Sequence, residues 1–422
     1  MTAIRPPRTE LKSSRIDPAH ESRAADYLER GTSRFRRANL ALFAAGFATF
    51  ALLYCVQPLM PVFADEFGVS AAASSLSLSL TTGVLAPMLI VASSLSEAGR
   101  RKTVMALSLT ASGALSFAAA LAPNFSWLLL ARTFEGIALS GLPAVAMAYL
   151  GEETHPRAVG LAVGLLVAGN GFGGMAGRFG TGVATDLASW RIALGVIGLL
   201  GLGSAAIVWR YLPESAHFRP QRLALGDLAR PLLSHLGDPG LRWLFVLGFL
   251  LMGGFVTLYN YIAFLLLAPP YGLSQTAVGA IFVVYLFGMA GSTLAGQLAD
   301  RLGRRRVLGA AVAVMLAGVL LTAGRDLAAI LLGLSVVTFG FFGCHAIGSS
   351  WVSRRAHSAK APAASLYLFA VYVGSSVAGS FGGLAWTRFG WNGVVVLVAS
   401  LTVAGLLISL RLAVLPPISS DQ

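Results

Sequence analysis

Cysteine, histidine and charge are scarce in this sequence. Its 422 residues include two cysteines and six histidines, and Asp, Glu, Lys and Arg together make up only 12%. Soluble domains carry about 25% charged residues. Two cysteines exclude a disulfide framework and a thiolate zinc site. Cys55 and Cys344 lie inside apolar runs and read as small apolar fillers. No phosphate loop, metal cluster or catalytic triad is visible, so no cofactor, no metal and no enzymatic activity are expected. The glycine run at 169–177 follows no strand, so it is not a dinucleotide site. Of the charged residues the acids are the scarcer, 18 against 31 Lys and Arg, for a net charge of +13. In a soluble domain that excess would point to nucleic acid. Here the positives sit in short loops between apolar runs, which makes them a topology signal and argues against a nucleic-acid partner.

What the sequence has in plenty is apolar length. It is 56% hydrophobic, with 48 glycines, and glycine is common where membrane helices pack closely. A span needs about 20 apolar residues. Twelve candidates are present: 39–62, 73–95, 103–122, 126–150, 157–184 and 190–211, then 242–266, 276–299, 307–323, 327–352, 363–387 and 391–412. They predict an all-α membrane protein of twelve transmembrane helices. Residues 1–37 carry nine Lys or Arg without a signal-peptide pattern, and read as a disordered basic tail. The expected organisation is that tail, a six-helix bundle over 38–212, a linker at 213–241, a second bundle over 242–412, and a short tail at 413–422. All but five of the 31 Lys and Arg fall on one side of this arrangement. Such a bias predicts that both termini are cytoplasmic in a multi-pass protein of the cell inner membrane, with the lipid bilayer as its solvent.

The halves repeat. An acid followed by a basic cluster closes the second span (Glu97, Arg100, Arg101, Lys102) and the eighth (Asp300, Arg301, Arg304, Arg305, Arg306). Glu97 and Asp300 are 203 residues apart, Trp190 and Trp391 are 201 apart, and Pro156 and Pro362 are 206 apart. Three landmarks at nearly one offset predict two pseudo-symmetric six-helix bundles.

The loop Gly296-Gln297-Leu298-Ala299-Asp300-Arg301-Leu302-Gly303-Arg304-Arg305 resembles the signature loop of the major facilitator superfamily. Arg132-Thr133-Phe134-Glu135-Gly136 resembles that family's fourth-helix motif. The run from Gly169 to Arg178 resembles the glycine-rich fifth-helix motif of its proton-coupled antiporters, without their proline. Leu212-Pro213-Glu214-Ser215 resembles the close of the sixth helix. The first loop departs from the pattern, with Glu97 in place of Asp and Gly99 shifted by one. The resemblance implies the major facilitator fold, with gating loops built on Glu97, Arg101, Asp300, Arg301, Gly303 and Arg304. In that picture Asp300 docks at the start of helix five near Pro156, and Glu97 at the start of helix eleven near Pro362. It also implies a cavity lined by helices one, four, seven and ten, which lends a substrate role to Tyr54, Gln57, Asn260 and His345. Asn170, near mid-membrane, and Tyr367 are further cavity candidates.

Arg132, Glu135 and Arg178 are the deepest ionisable groups, expected in the outer half of the membrane by a rise of about 1.5 Å per residue. A charge there costs about 2.5–3.5 kcal/mol on insertion scales. The three are candidates for proton coupling. They equally suit a structural ion pair holding helices four and five, and Arg178 also suits snorkelling to the surface. Gly169, Gly173 and Gly177 share one helix face and suit close packing, a slidable joint, or both. The tyrosines also suit interfacial anchoring, and His345 also suits a structural hydrogen bond.

The expected function is secondary active transport by alternating access: proton-coupled export, by antiport, of a small organic solute or drug. The expected partners are that solute and protons, with the protein acting as a monomer. Import of a sugar or metabolite is the alternative, and a non-transporting membrane receptor or enzyme is a remote one.

Overall fold

The structure is a computed structural model describing residues 27–96, 101–218, 232–356 and 360–415. Most of the basic tail, Glu97, the middle of the linker and the last seven residues lie outside the described residues. Nine described helices are long and apolar enough to cross a membrane. One of them, Lys360–Val414, has 55 residues and a non-helical Gly390 at φ 59°. At about 1.5 Å per residue it is far too long for one crossing, and positive φ suits glycine there. It therefore counts as two helices. The fourth span is divided into two shorter helices, and the ninth is made less apolar by its three opening arginines. Twelve spans result.

The helices are α1 (Ser33–Tyr54, continued by Gln57–Leu59 and Met60–Glu66), α2 (Ala71–Ser96), α3 (Arg101–Ala120), α4 (Phe125–Leu139 with Pro143–Glu153), α5 (Val159–Leu187) and α6 (Trp190–Tyr211). The second half has α7 (Pro239–Leu267), α8 (Gln275–Ala280, Ile281–Val284 and Tyr285–Leu302), α9 (Arg304–Leu321), α10 (Leu327–Arg355), α11 (360–389) and α12 (391–414). Among the described residues seven starts carry a side-chain cap: Thr32, Ser70, Asn124, Ser189, Asp238, Ser274 and Asp326 each accept from an amide three residues on. Such caps satisfy amides that have no partner within the helix.

Two internal breaks were not anticipated by the continuous apolar runs. Pro58 has no N–H for the Tyr54 carbonyl, and α1 stops at Tyr54. Pro143 does the same for Leu139, the last residue of the first segment of α4. Each break frees carbonyls in mid-membrane, where water cannot satisfy them.

The bundles pack alike. In the first, α1 meets α5, α2 meets α4, and α3 meets both α4 and α6; in the second, α7 meets α11, α8 meets α10, and α9 meets both α10 and α12. The seam between halves is formed mainly by α2 with α11 and α5 with α8, again a symmetric pair. Gly169 and Gly173 lie on the backbone of Phe43 and Phe47, and Gly177 lies on Ala51. The matching contact puts Gly374 on the backbone of Phe249.

The tail and linker are tied down where they are described. Leu28 N–H donates to the Glu153 carbonyl at 2.8 Å, and the Glu153 carboxylate accepts from the amides of Ala216 at 3.0 Å and His217 at 2.9 Å. The expected disorder therefore does not extend to Leu28, which is buried. Asp238, capping α7, accepts from Leu241 N–H at 2.7 Å and from Arg355 at 2.5 and 3.0 Å. Partial burial pushes its pKa up, but the Arg355 guanidinium and the helix-start amides outweigh burial and hold it below the usual carboxylate value. A depressed pKa contributes stability above the unfolded value, lost as pH falls through the folded one. Asp238→Asn keeps the cap but loses the charge facing Arg355 and the helix start, and is expected to cost about 0.5–1 kcal/mol at pH 7. Its melting temperature should converge with wild type below pH ~4.

Candidate functional site

The break in α1 exposes the last carbonyls of that helix, and Arg132 on α4 takes them. It donates to Leu52 O at 3.1 Å and Leu53 O at 2.8 Å, and to Ser77 O of α2 at 3.1 Å. Its fourth bond, 2.6 Å, goes to Glu135 Oε2 one turn along. Both side chains are wholly buried. Arg132 thus clamps α1, α2 and α4 together. Glu135 is only half engaged: Oε1 is buried without a hydrogen-bond partner among the described residues. An orphaned buried acceptor is costly, and on a carboxylate it is also where a proton can be held.

Arg178, on α5, does not join this pair, and the ion pair expected between helices four and five is not formed. Nor does Arg178 snorkel: it is 2% exposed and turns into the seam. Its Nε donates to Gln57 Oε1 at 2.6 Å and its Nη1 to Gly174 O at 2.6 Å. Three rings surround the guanidinium, Tyr54 at 4.3 Å, Phe282 at 4.7 Å and Tyr285 at 5.0 Å. Gln57 then donates across the seam to Asn260 Oδ1 at 2.7 Å. The cause of this geometry is local. Gln57 lies in the tight turn after Tyr54, so its side chain leaves α1 where α7 passes. The missing side chain at Gly174 leaves room for Arg178, whose Nη1 stands 3.2 Å from where a Cβ would lie.

The structure thus unites Tyr54, Gln57, Asn260 and Arg178. His345 and Tyr367 form a separate group at 3.2 Å, beside a cavity of about 10 Å³ that also touches Leu247, Phe341 and Cys344. That volume holds one water at most. Asn170 lies apart against Gly46 of α1. Phe282 and Tyr285 were not singled out in the sequence, because nothing local distinguishes them from ordinary span aromatics.

The helix ends near the arginine loops are called the basic end, and the others the far end. Seam contacts concentrate toward the far end. Asp186, in the last turn of α5, accepts from the amides of Gln275 at 3.1 Å and Thr276 at 2.7 Å, the first residues of α8. Ser376 on α11 donates to Ser79 O on α2 at 2.7 Å, and Gly383 lies on the backbone of Ala72. A carboxylate at a helix start contributes about 0.3–1 kcal/mol, up to about 2 when partly buried. Asp186 is exposed, so Asp186→Asn is expected to open the far end by about twofold to about fivefold in population. A cysteine at Ser376, labelled by an impermeant maleimide, should react faster in that variant.

At the basic end the expected latch is not made. Asp300 is exposed, and among the described residues no hydrogen bond or ion pair joins it to the start of α5. With the far end sealed, the carboxylate that does cap a helix across the seam is Asp186. Glu97 lies outside the described residues. Arg101 forms a two-pronged pair with Glu152, at 2.7 and 2.6 Å, which ties α3 to α4 within one half. Gly303 takes φ 84° between α8 and α9, Arg301 is exposed, and Arg304 opens α9. Arg305 donates to the carbonyls of Ala413 at 3.1 Å and Leu415 at 2.7 Å, capping the end of α12. A cleft of about 660 Å³ opens here, lined by Asp300, Trp351 and four arginines. Its lining includes neither Glu135 nor Arg178.

Comparison with known proteins follows the same lines. The family model described as Major Facilitator Superfamily matches residues 42–357 and again 259–422. The chain is 46% identical over 387 residues to the uncharacterized MFS-type transporter YybF of Bacillus subtilis, covering 92% of this chain and 96% of that one. It is 45% identical over 400 residues to the inner membrane transport protein YnfM of Escherichia coli, covering 95% and 96%. Among solved structures, a bacterial homolog of the human lysosomal transporter Spinster superposes with a TM-score of 0.71 at 16% identity, over 91% of this chain and 96% of that one. The nucleoside transporter NupG superposes with a TM-score of 0.72 at 15% identity, over 89% and 99%.

Proposed function

The chain belongs to the Major Facilitator Superfamily, and from that premise we propose that it is a proton-driven antiporter exporting a small organic solute. The single observation that carries the proton is the free oxygen of Glu135. Its carboxylate is wholly buried and bonded through one oxygen only. A proton on Oε1 would remove the buried charge of that carboxylate, and its release would restore the pair with Arg132. The neighbouring α1 break links this event to Gln57, and Gln57 links it to α7 in the other half. Proton occupancy and the seam are thereby connected by contacts rather than by distance alone.

In this reading the basic end is cytoplasmic, as the clustering of Lys and Arg supports. The far-end contacts of Asp186 and Ser79 hold one state closed. The loop of Asp300 supplies the opposing closure once the halves rock. The protein works as a monomer in the inner membrane.

The test is a pH-gradient assay in proteoliposomes, with a trapped pH indicator and a panel of small solutes. A transported solute should release protons down the gradient. Absence of solute-dependent proton movement across the panel, with correctly inserted protein, rejects the coupling. Asp300→Asn is expected to slow that release severalfold while insertion and melting temperature hold, since the exposed carboxylate contributes little to this state. Wild-type rates in that variant would remove the loop from the cycle.

A further inference from the structure

We infer that the solute is an organic monoanion, a carboxylate on an apolar or aromatic body, with Arg178 as its counter-ion. The inference rests on the transport reading above and names the substrate class for it.

Arg132 and Glu135 neutralise each other. Arg178 is left over. Among the described residues no carboxylate comes within ion-pair distance of it, and its hydrogen bonds go to uncharged oxygens only: Gln57 Oε1, the Gly174 carbonyl and the Tyr285 hydroxyl. A guanidinium has five N–H donors and cannot escape by losing a proton. Ring faces and carbonyl dipoles soften an isolated buried cation without cancelling it. This cation sits nine residues, about 14 Å, from the far end of α5, inside the seam rather than on the lipid face.

A second, independent observation points the same way. Asn260 accepts from Gln57 through Oδ1, yet its Nδ2 is wholly buried and has no partner among the described residues. Gln57 therefore stands between two groups with donors to spare, one from each half. A ligand carrying a negative charge and two acceptor oxygens answers both, whereas a cation or a plain hydrocarbon answers neither. One uncompensated charge calls for one anionic charge; a dianion would leave a net negative charge in the same buried place. The walls set the rest of the molecule. Tyr54, Phe282 and Tyr285 present ring faces around the guanidinium, and Phe255 packs against Tyr285 at 5.8 Å. These surfaces suit an aromatic or branched apolar body. Export of such an anion against an incoming proton is favoured twice by a membrane potential negative inside, since both movements carry charge in the favoured direction.

The experiment uses the purified full-length chain and thermal unfolding. The probes are benzoate and 2-naphthoate, their neutral amides, the matching arylmethylammonium ions, and chloride, all at equal ionic strength. The carboxylates should raise the melting temperature saturably, and the amides, ammonium ions and chloride should not. Arg178→Lys should weaken carboxylate binding about tenfold and Arg178→Gln about a hundredfold. Gln57→Glu covers the case in which those variants fold poorly. It places a carboxylate where Arg178 already donates, so the free protein should melt higher and the benzoate response should vanish. Equal responses to the amides, ammonium ions or chloride overturn the inference. So does silence toward both carboxylates, or a carboxylate response that survives in Gln57→Glu. Carboxylate binding of this pattern in a protein that moves no protons in liposomes would leave the inference standing and remove the antiport. Proton-coupled movement of a neutral or cationic solute, indifferent to Arg178, would do the reverse.

Discussion

Arg132→Gln is expected to destabilise the first bundle by about 3–5 kcal/mol, whereas Glu135→Gln leaves it folded and stops proton-driven transport. The asymmetry comes from what each partner holds. Arg132 satisfies three carbonyls besides Glu135, two of them set free by the break at Pro58. Its loss leaves Leu53 O without a partner among the described residues and Leu52 O with only the weak Cys55 thiol donor, in a place water does not reach, while Ser77 O keeps Thr81. Glu135 bonds only to Arg132 among the described residues. A glutamine there still offers Arg132 a carbonyl oxygen, and Arg132 keeps its other acceptors, so the cost should be about 1–2 kcal/mol. What glutamine cannot do is take up and release a proton. Chemical unfolding in detergent and the liposome pH assay read the two effects separately. A folded, fully coupled Glu135→Gln variant would place the proton elsewhere.

The second large effect concerns helix contact. Gly173→Val should prevent α1 and α5 from meeting and cost about 3 kcal/mol or more. Even a single methyl at Gly173 would overlap the Phe47 carbonyl, and the obstruction is backbone, which cannot turn aside as a side chain can. Gly180 lies on the same helix with nothing within 4 Å of its missing Cβ. Gly180→Ala should therefore stabilise by about 0.5–1 kcal/mol, the ordinary gain of alanine over glycine in a helix. Opposite signs from two glycines seven residues apart, read as melting temperatures, separate contact from composition. Equal small effects would mean that the α1–α5 interface is looser than its geometry.

Much of the fold was legible because the bilayer leaves the backbone few choices. The sixth span, expected at 190–211, is Trp190–Tyr211, and the tenth, expected at 327–352, is Leu327–Arg355. The repeat was legible from tryptophans and prolines, yet the paired tryptophans differ in partner. Trp391 donates to Thr322 O at 2.7 Å, while Trp190 donates to the Glu66 carboxylate. Arg191, next to Trp190, reaches Ala122 O at 3.2 Å, which is the first-half counterpart of the Trp391 contact. The breaks in α1 and α4 were readable in principle from Pro58 and Pro143, but hydropathy runs straight through them. The site was only partly legible. Arg132 and Glu135 share a face by spacing alone. The direction of Arg178 depends on Gln57, 121 residues away, and no local pattern encodes it. Asp186 lies two residues past the expected fifth span, 157–184, and nothing local marks it. Its significance lies in the amides of α8, which the sequence places 89 and 90 residues further on.

The account turns on the two ends of the seam opening in opposition. Spin labels at Leu187 and Ala268 report the far end, and labels at Arg157 and Leu302 report the basic end; all four positions are exposed. Pulsed dipolar distances should be measured in liposomes at low and neutral pH, with and without 2-naphthoate, in wild type and Glu135→Gln. The far-end distance should lengthen as the basic-end distance shortens, with the wild-type balance set by pH and the variant's fixed. Distances that change together, or that ignore pH in the wild type, would contradict the account.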